Sequence, residues 1–159
     1  MTTAVVLVAA GSGSRLGSPF PKAFVSLEGK TLLGHCVERL GDWSRPHTVV
    51  LVVPEGWQEP ARALLTSSPG VRVVTGGATR TASVRAGLAA LGGDTEIVLI
   101  HDAARALMPV DVFDRVVEAI DAGAAGAIPH VPVVDTLVRI NPETLMTEGG
   151  LNRDELGGV

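Results

Sequence analysis

The chain has 159 residues, 46% of them hydrophobic, which is enough to bury one sizeable core and implies a single globular domain over residues 1–159. A net charge of −4 and an aromatic content of 3% deny it the positive field and stacking rings on which nucleic-acid binders rely, so no nucleic-acid partner is expected. The apolar stretch Ala4 to Ala10 is far shorter than the roughly 20 residues that span a bilayer and lacks a preceding basic segment, and the single Cys36 has no disulfide partner, so neither membrane insertion nor export is expected and a reducing cytoplasm fits.

The first predicted strand, Ala4 to Ala9, runs into Gly11, Ser12, Gly13, Ser14, Arg15, Leu16 and Gly17, with Pro21 and Lys22 beyond. Glycines at 11 and 13 let the backbone turn tightly and bring amide hydrogens close to an anion. A dinucleotide fingerprint would need glycine where Leu16 stands, and a Walker loop would need a lysine next to its glycine, whereas Gly17 and Lys22 are separated. What remains suits a triphosphate, held by amides while Arg15 and Lys22 neutralise it. A bare glycine turn flanked by solvated charges is the alternative.

Leu32, Leu33, Cys36, Val37 and Leu40 recur at helical spacing and place the thiol of Cys36 on a packed stripe. Thr48 to Val53 reads as a second strand, and Trp57, Ala61, Leu64 and Leu65 as a weaker helix with Pro60 in its first turn. A third strand, Val71 to Thr75, leads into Gly76, Gly77, Ala78, Thr79, Arg80, Thr81, Ala82 and Ser83. Small residues there let backbone approach a flat base edge, with Ser83 adding a hydrogen bond, or they form a simple loop and helix cap.

The helix marked by Val84, Leu88 and Leu91 is followed by a strand, Glu96 to His101, and then by Asp102, Ala103, Ala104 and Arg105. Ligands of open parallel sheets collect at the carboxyl ends of strands, so Asp102 is expected to face the same crevice as the glycine loop. A carboxylate there can hold Mg²⁺ together with phosphate oxygens, or it can cap a turn. A helix follows through Phe113, Val116, Val117 and Ile120, then a fifth strand over Ala127 to Val134.

Beyond it, Asp135 to Ile140, a turn at Asn141, Pro142 and Glu143, and Leu145 to Arg153 read as a hairpin with too few apolar residues to stand alone. It is expected to pack on something, such as another subunit. The fold class is α/β: a Rossmann-like, mostly parallel sheet with helices on both faces, plus a protruding β-arm. His35, His47, His101 and His130 are scattered without metal-ligand spacing and read as structural, and no serine, cysteine or histidine nucleophile stands out.

AAGSGSRLG with PKAF, GGATRTASV, HDAAR and the pair Asp135-Thr136 occur together in the order and approximate spacing of the 2-C-methyl-D-erythritol 4-phosphate cytidylyltransferases. The chain resembles that family over nearly its whole length. The resemblance implies transfer of a cytidylyl group from CTP to methylerythritol phosphate, with Mg²⁺ as cofactor. Arg15 and Lys22 match residues that stabilise the transition state, Arg153 joins them as a catalytic position, and Asp102 matches the metal-associated carboxylate.

Ala10, Gly11, Gly13, Gly77, Arg80 and Ser83, with Asp102 and Ala103, fall on positions that hold the cytidine nucleotide. Arg105, Thr136 and Arg153 match positions that engage the acceptor, partly across a homodimer interface made by arms like residues 135–153. The acceptor's phosphate monoester, ionised above a second pKa of about 6, needs no general base, so positioning and charge neutralisation carry the chemistry.

Ala106 stands where the family often has proline, and Val138 where it often has lysine. The family continues past the position of Val159 with a glutamine-threonine-proline-glutamine stretch and a substrate-positioning lysine, so an incomplete copy of the family domain is expected. Two other readings share these motifs: a cytidylyltransferase for another polyol phosphate such as ribitol 5-phosphate, and an inactive nucleotide-binding or dimerisation module.

Overall fold

The apolar run Thr3–Val8 forms strand β1, with all six residues buried, in the interior of a four-stranded sheet. The computed structural model of the chain describes residues 1–13, 17–65 and 70–159. After β1 come a short hairpin of β2 (Ser26–Leu27) and β3 (Lys30–Thr31), helix α1 (Leu32–Asp42), strand β4 (His47–Val53) and helix α2 (Gln58–Leu64). Strand β5 (Val71–Thr75), helix α3 (Arg80–Ala89), strand β6 (Ile97–Asp102) and helix α4 (Val110–Asp121) follow.

Local chemistry explains the helix starts. Thr31 precedes α1 and accepts the Gly34 N–H at 3.0 Å, and Thr79 precedes α3 and accepts the Ala82 N–H at 3.1 Å, so each hydroxyl satisfies a donor the helix cannot. Pro60 lies in the first turn of α2, where its missing N–H costs nothing.

The sheet is parallel throughout, in the order β5-β4-β1-β6. The chain starts at β1, winds outward through β4 and β5, then returns to add β6 on the other side of β1. The strand order therefore reverses between β1 and β6, which sets a crevice at the carboxyl ends of these two strands. That reversal fixes where a ligand can sit.

Both faces of the sheet are covered. On one, Val6, Val8, Val50 and Val52 form a buried cluster against Val84, Ala90 and Leu91. Gly87 lets α3 close on β1, since a methyl group there would lie 2.3 Å from Val6 Cγ1. On the other face Leu7 stands level with His101, whose ring meets the edge of Phe113 at 5.3 Å, and Phe113 lies 5.4 Å from Trp43. Trp43 is buried and donates its indole N–H to Asp114 at 2.7 Å, so its one polar atom is satisfied. Burying Phe113 contributes roughly 1.5–3 kcal/mol.

The chain divides into two compact units, residues 1–114 and 115–159. In the second, β7 (Val131–Pro132) pairs antiparallel with β10 (Gly157–Gly158), and β8 (Val138–Ile140) pairs antiparallel with β9 (Thr147–Gly150). The second pair is the expected hairpin, turned by Asn141, whose side-chain oxygen accepts the N–H groups of Glu143 at 2.9 Å and Thr144 at 3.0 Å.

The expected fifth strand is corrected. Of Ala127 to Val134 only Val131–Pro132 enters a ladder, and its partner is β10 rather than the parallel sheet. Pro129 and Pro132 lack amide donors, which bars this run from the interior of a sheet, and Val131 is 65% exposed.

Candidate active site

The sheet's hydrogen-bond ladder extends one residue past three strands. Ala9 N–H donates to Val52 C=O at 2.8 Å, Gly76 N–H to Val53 C=O at 2.8 Å, and Ala103 N–H to Val8 C=O at 3.0 Å. The loops after β1, β5 and β6 consequently leave the same end of the sheet. Asp102 ends β6 level with Val8, immediately beside the start of the glycine loop.

The loops after β1 and β5 touch at Gly76. A methyl group there would lie 2.6 Å from Ala10 Cβ and 2.8 Å from Ser83 Oγ, so only glycine permits the contact. Ser83 is 2% exposed, and its hydroxyl accepts the Gly77 N–H at 3.2 Å and lies 3.0 Å from the Thr79 carbonyl to which it donates. These bonds set the shape of the loop around Gly77. Gly11 is exposed, with open space where a side chain would project.

Arg80 opens α3 and spans the crevice to Asp102, with Nε donating to Oδ1 at 3.1 Å and Nη2 to Oδ2 at 3.3 Å. This two-pronged pair joins the loop after β5 to the end of β6 and fixes the plane of the carboxylate. Both side chains are open to solvent, at 62% and 31% exposure, so each remains available to an incoming anion or cation. Among the described residues no three histidine, cysteine, aspartate or glutamate side chains converge as a metal cage. The donor set fits Mg²⁺ bound by one carboxylate with the remaining ligands taken from phosphates and water.

Lys22 begins a one-turn 3-10 helix, Lys22–Phe24, closed by Phe24 N–H to Pro21 C=O at 2.9 Å and Val25 N–H to Lys22 C=O at 3.1 Å. Gly13 has φ +66°, and a methyl group there would meet Lys22 Cβ at 2.6 Å and Lys22 Cα and N at 3.2 Å. The glycine loop is therefore packed directly against the backbone that carries the lysine. Arg15, with Ser14 and Leu16, lies outside the described residues.

Ala103 is buried, and its carbonyl accepts the Cys36 thiol at 3.4 Å; burial pushes that thiol's pKa up to about 12, which makes it an inert packing group. His101 is likewise buried, which lowers its pKa, and it supports the site from below as a structural residue. Arg105 is exposed, its N–H bonded to Asp102 C=O at 2.9 Å. It borders an open depression of about 370 Å³ lined by Leu27, Leu32 and Ala104–Met108.

Ala10, Gly13, Gly77, Arg80, Ser83, Asp102, Ala103 and Arg105 thus all lie at or just beyond the carboxyl ends of strands of one sheet, and Lys22 packs on Gly13. Thr136 and Arg153 belong to the unit of residues 115–159, where both are exposed and Arg153 Nη1 donates to Val134 C=O at 3.1 Å. Sequence reasoning missed Gly76 as the point of loop contact and Trp57 as a neighbour of the lysine segment. Trp57 was placed on a helix face; its ring instead lies 4.5 Å from that of Phe24. A tryptophan just after Pro54 and Gly56 at a strand end was the available signal.

Residues 3–159 match the family model "IspD: 2-C-methyl-D-erythritol 4-phosphate cytidylyltransferase". The chain is 46% identical to a bifunctional enzyme IspD/IspF of Clavibacter michiganensis, covering 98% of this chain and 39% of that one. It is 47% identical to a 2-C-methyl-D-erythritol 4-phosphate cytidylyltransferase of Rhodococcus opacus, covering 95% of this chain and 65% of that one. The fold matches the crystal structure of a 4-diphosphocytidyl-2C-methyl-D-erythritol synthase from Anaerococcus prevotii, with a TM-score of 0.86 at 24% identity over 99% of this chain and 66% of that one. The chain spans under two thirds of the length of these two sequence relatives. With its sheet order, its three converging loops and a match over residues 3–159, the chain belongs to the 2-C-methyl-D-erythritol 4-phosphate cytidylyltransferase (IspD) family.

Proposed function

We propose that the chain transfers the cytidylyl group of CTP to 2-C-methyl-D-erythritol 4-phosphate and releases pyrophosphate. The observation that carries this reading is the meeting of three strand-end loops, with Gly76 on Ala10, Arg80 on Asp102 and Gly13 on Lys22. Glycine backbone and basic residues from separate segments are thereby brought close together, which suits a triphosphate joined to a flat base.

In the reaction an oxygen of the acceptor phosphate forms a bond to the α-phosphorus while the bond from that phosphorus to the bridging oxygen breaks, its electron pair leaving with pyrophosphate. Lys22, with Arg15 earlier in the sequence, neutralises the charge that grows on the α-phosphate oxygens and the leaving group. Ala10, Gly11, Gly13 and Gly77 offer backbone to the nucleotide, and Ser83 keeps the Gly77 turn in shape. Ala103 lines the floor beside Asp102. Asp102 would hold Mg²⁺, which when bound neutralises triphosphate oxygens.

Arg80 holds Asp102 in place from the opposite loop. Arg105, Thr136 and Arg153 bind the acceptor phosphate, and the exposed hairpin within residues 135–153 completes the site in a homodimer working in the cytoplasm. Exposed Leu145 and Met146, at 77% and 68%, support a role for this hairpin in packing on a partner.

Pyrophosphate release with CTP, Mg²⁺ and each of two acceptors tests the reading. Methylerythritol phosphate should be turned over in preference to ribitol 5-phosphate. The reverse preference would make this a cytidylyltransferase for another polyol phosphate, and CTP binding without release under either acceptor would leave a nucleotide-binding module.

A further inference from the structure

We infer that Trp57 is a positioning residue for Lys22, an inference that rests on the role just given to that lysine. The segment carrying Lys22 has an aromatic ring two residues before it and another two residues after it, and both rings lie on Trp57. Phe24 packs at 4.5 Å between ring centroids, tilted by 44°, and Phe20 meets Trp57 edge-on at 6.1 Å and 84°. Phe20 is otherwise 55% exposed.

Trp57 is itself fixed to the sheet. Pro54 directly follows β4, and its carbonyl accepts the Trp57 N–H at 3.2 Å; the Trp57 carbonyl in turn accepts the Ala61 N–H at 3.0 Å as α2 begins. Ala61 is fully buried, so this corner cannot swing without opening the core. On its other side the lysine segment is bounded by Gly13, which leaves no room for even a methyl group beside Lys22.

Lys22 therefore sits on a strap pinned at both ends by one indole and backed by the glycine loop. A lysine side chain has four rotatable bonds, so its ammonium is aimed only as well as its backbone is held. Trp57 touches no reacting atom in this scheme; it acts through the strap.

The test is a double-mutant cycle in the full 159-residue chain, with Trp57→Ala, Trp57→Phe and Lys22→Ala assayed for kcat and for KM of CTP. Trp57→Ala should lower kcat roughly 10-fold or more while changing KM less than about 3-fold, since a misplaced group costs most in the transition state. Trp57→Phe should recover most of the loss. In the Lys22→Ala background Trp57→Ala should add less than about 2-fold.

An equal loss in both backgrounds would show that Trp57 acts other than through Lys22, and unchanged kcat in Trp57→Ala would remove it from the mechanism. Should Trp57→Ala fail to give a cooperative melt, Phe24→Leu enters the cycle in its place with the same expected pattern. Unmutated chain that releases no pyrophosphate refutes the proposed function and this inference with it. An active chain indifferent to Trp57 refutes the inference alone.

Discussion

Replacing Gly13 with alanine tests the contact between the glycine loop and the lysine strap. Gly13 has φ +66°, and an L-residue in that region costs about 1–2 kcal/mol relative to its preferred conformations. The new methyl would also stand 2.6 Å from Lys22 Cβ and 3.2 Å from Lys22 Cα and N. Ordinary carbon contacts begin near 3.5 Å, so the strap must retreat by roughly 1 Å. Two of the three clashing atoms are backbone, so rotation of the lysine side chain cannot relieve it.

A displacement of about 1 Å at a group that stabilises a transition state can lower turnover by ~10²-fold. Gly13→Ala should therefore lose roughly 10²-fold in kcat, read by pyrophosphate release at saturating CTP and acceptor. The cooperative thermal transition should remain, because the strain is local to two surface loops. A variant with nearly normal kcat would mean that the Gly13–Lys22 contact does not position the lysine, and the geometric account of the site would fail at its centre.

Four further outcomes are expected. Lys22→Ala should reduce kcat by at least ~10²-fold with the far-ultraviolet circular dichroism of the parent, the scale of losing one donor to the transition state. Asp102→Asn should weaken Mn²⁺ binding in the presence of CTP by about 10-fold or more, measured as the free-ion paramagnetic resonance signal; unaltered binding would place the metal elsewhere.

Cys36, with its pKa raised to about 12 by burial against an unfolded value of about 8.5, holds its proton more tightly in the folded chain. Its contribution to stability is complete below about pH 8.5 and is lost as pH rises toward 12, so Cys36→Ala should flatten the alkaline limb of a stability–pH curve, and thiol reagents should reach Cys36 only on unfolding. Thr3 Oγ1 is buried without a hydrogen-bond partner among the described residues. Thr3→Val keeps the shape and removes the stranded hydroxyl, so it should raise stability by about 1 kcal/mol, seen as a higher Tm, and a lower Tm would show that the hydroxyl is satisfied.

Much of the site was legible one segment at a time. Thr48 to Val53 read as a buried strand because its residues are almost uniformly apolar, and Leu33, Cys36 and Leu40 marked a helix by their spacing. Gly13 and Gly77 marked places where backbone approaches something closely, and Asp102 a carboxylate at a strand end. These signals are local: they depend on the burial and torsions of a few consecutive residues.

The strand order was decided only in three dimensions. An apolar run records that both its faces are covered but not which strand lies beside it, so the placement of β6 against β1, which opens the crevice, follows from the whole fold. The same holds for Gly76 against Ala10 and Trp57 against Phe24, because a missing side chain reveals that something comes close without naming it. Ala127 to Val134 shows the reverse case. Its apolar content suggested a sheet strand, yet two prolines without amide donors left it unable to enter the parallel ladder, and its pairing went to Gly157 and Gly158 instead. Periodicity and turn chemistry act over a few residues and are written in the chain itself, whereas the choice of neighbour is a competition among distant segments that is resolved only when all of them pack together.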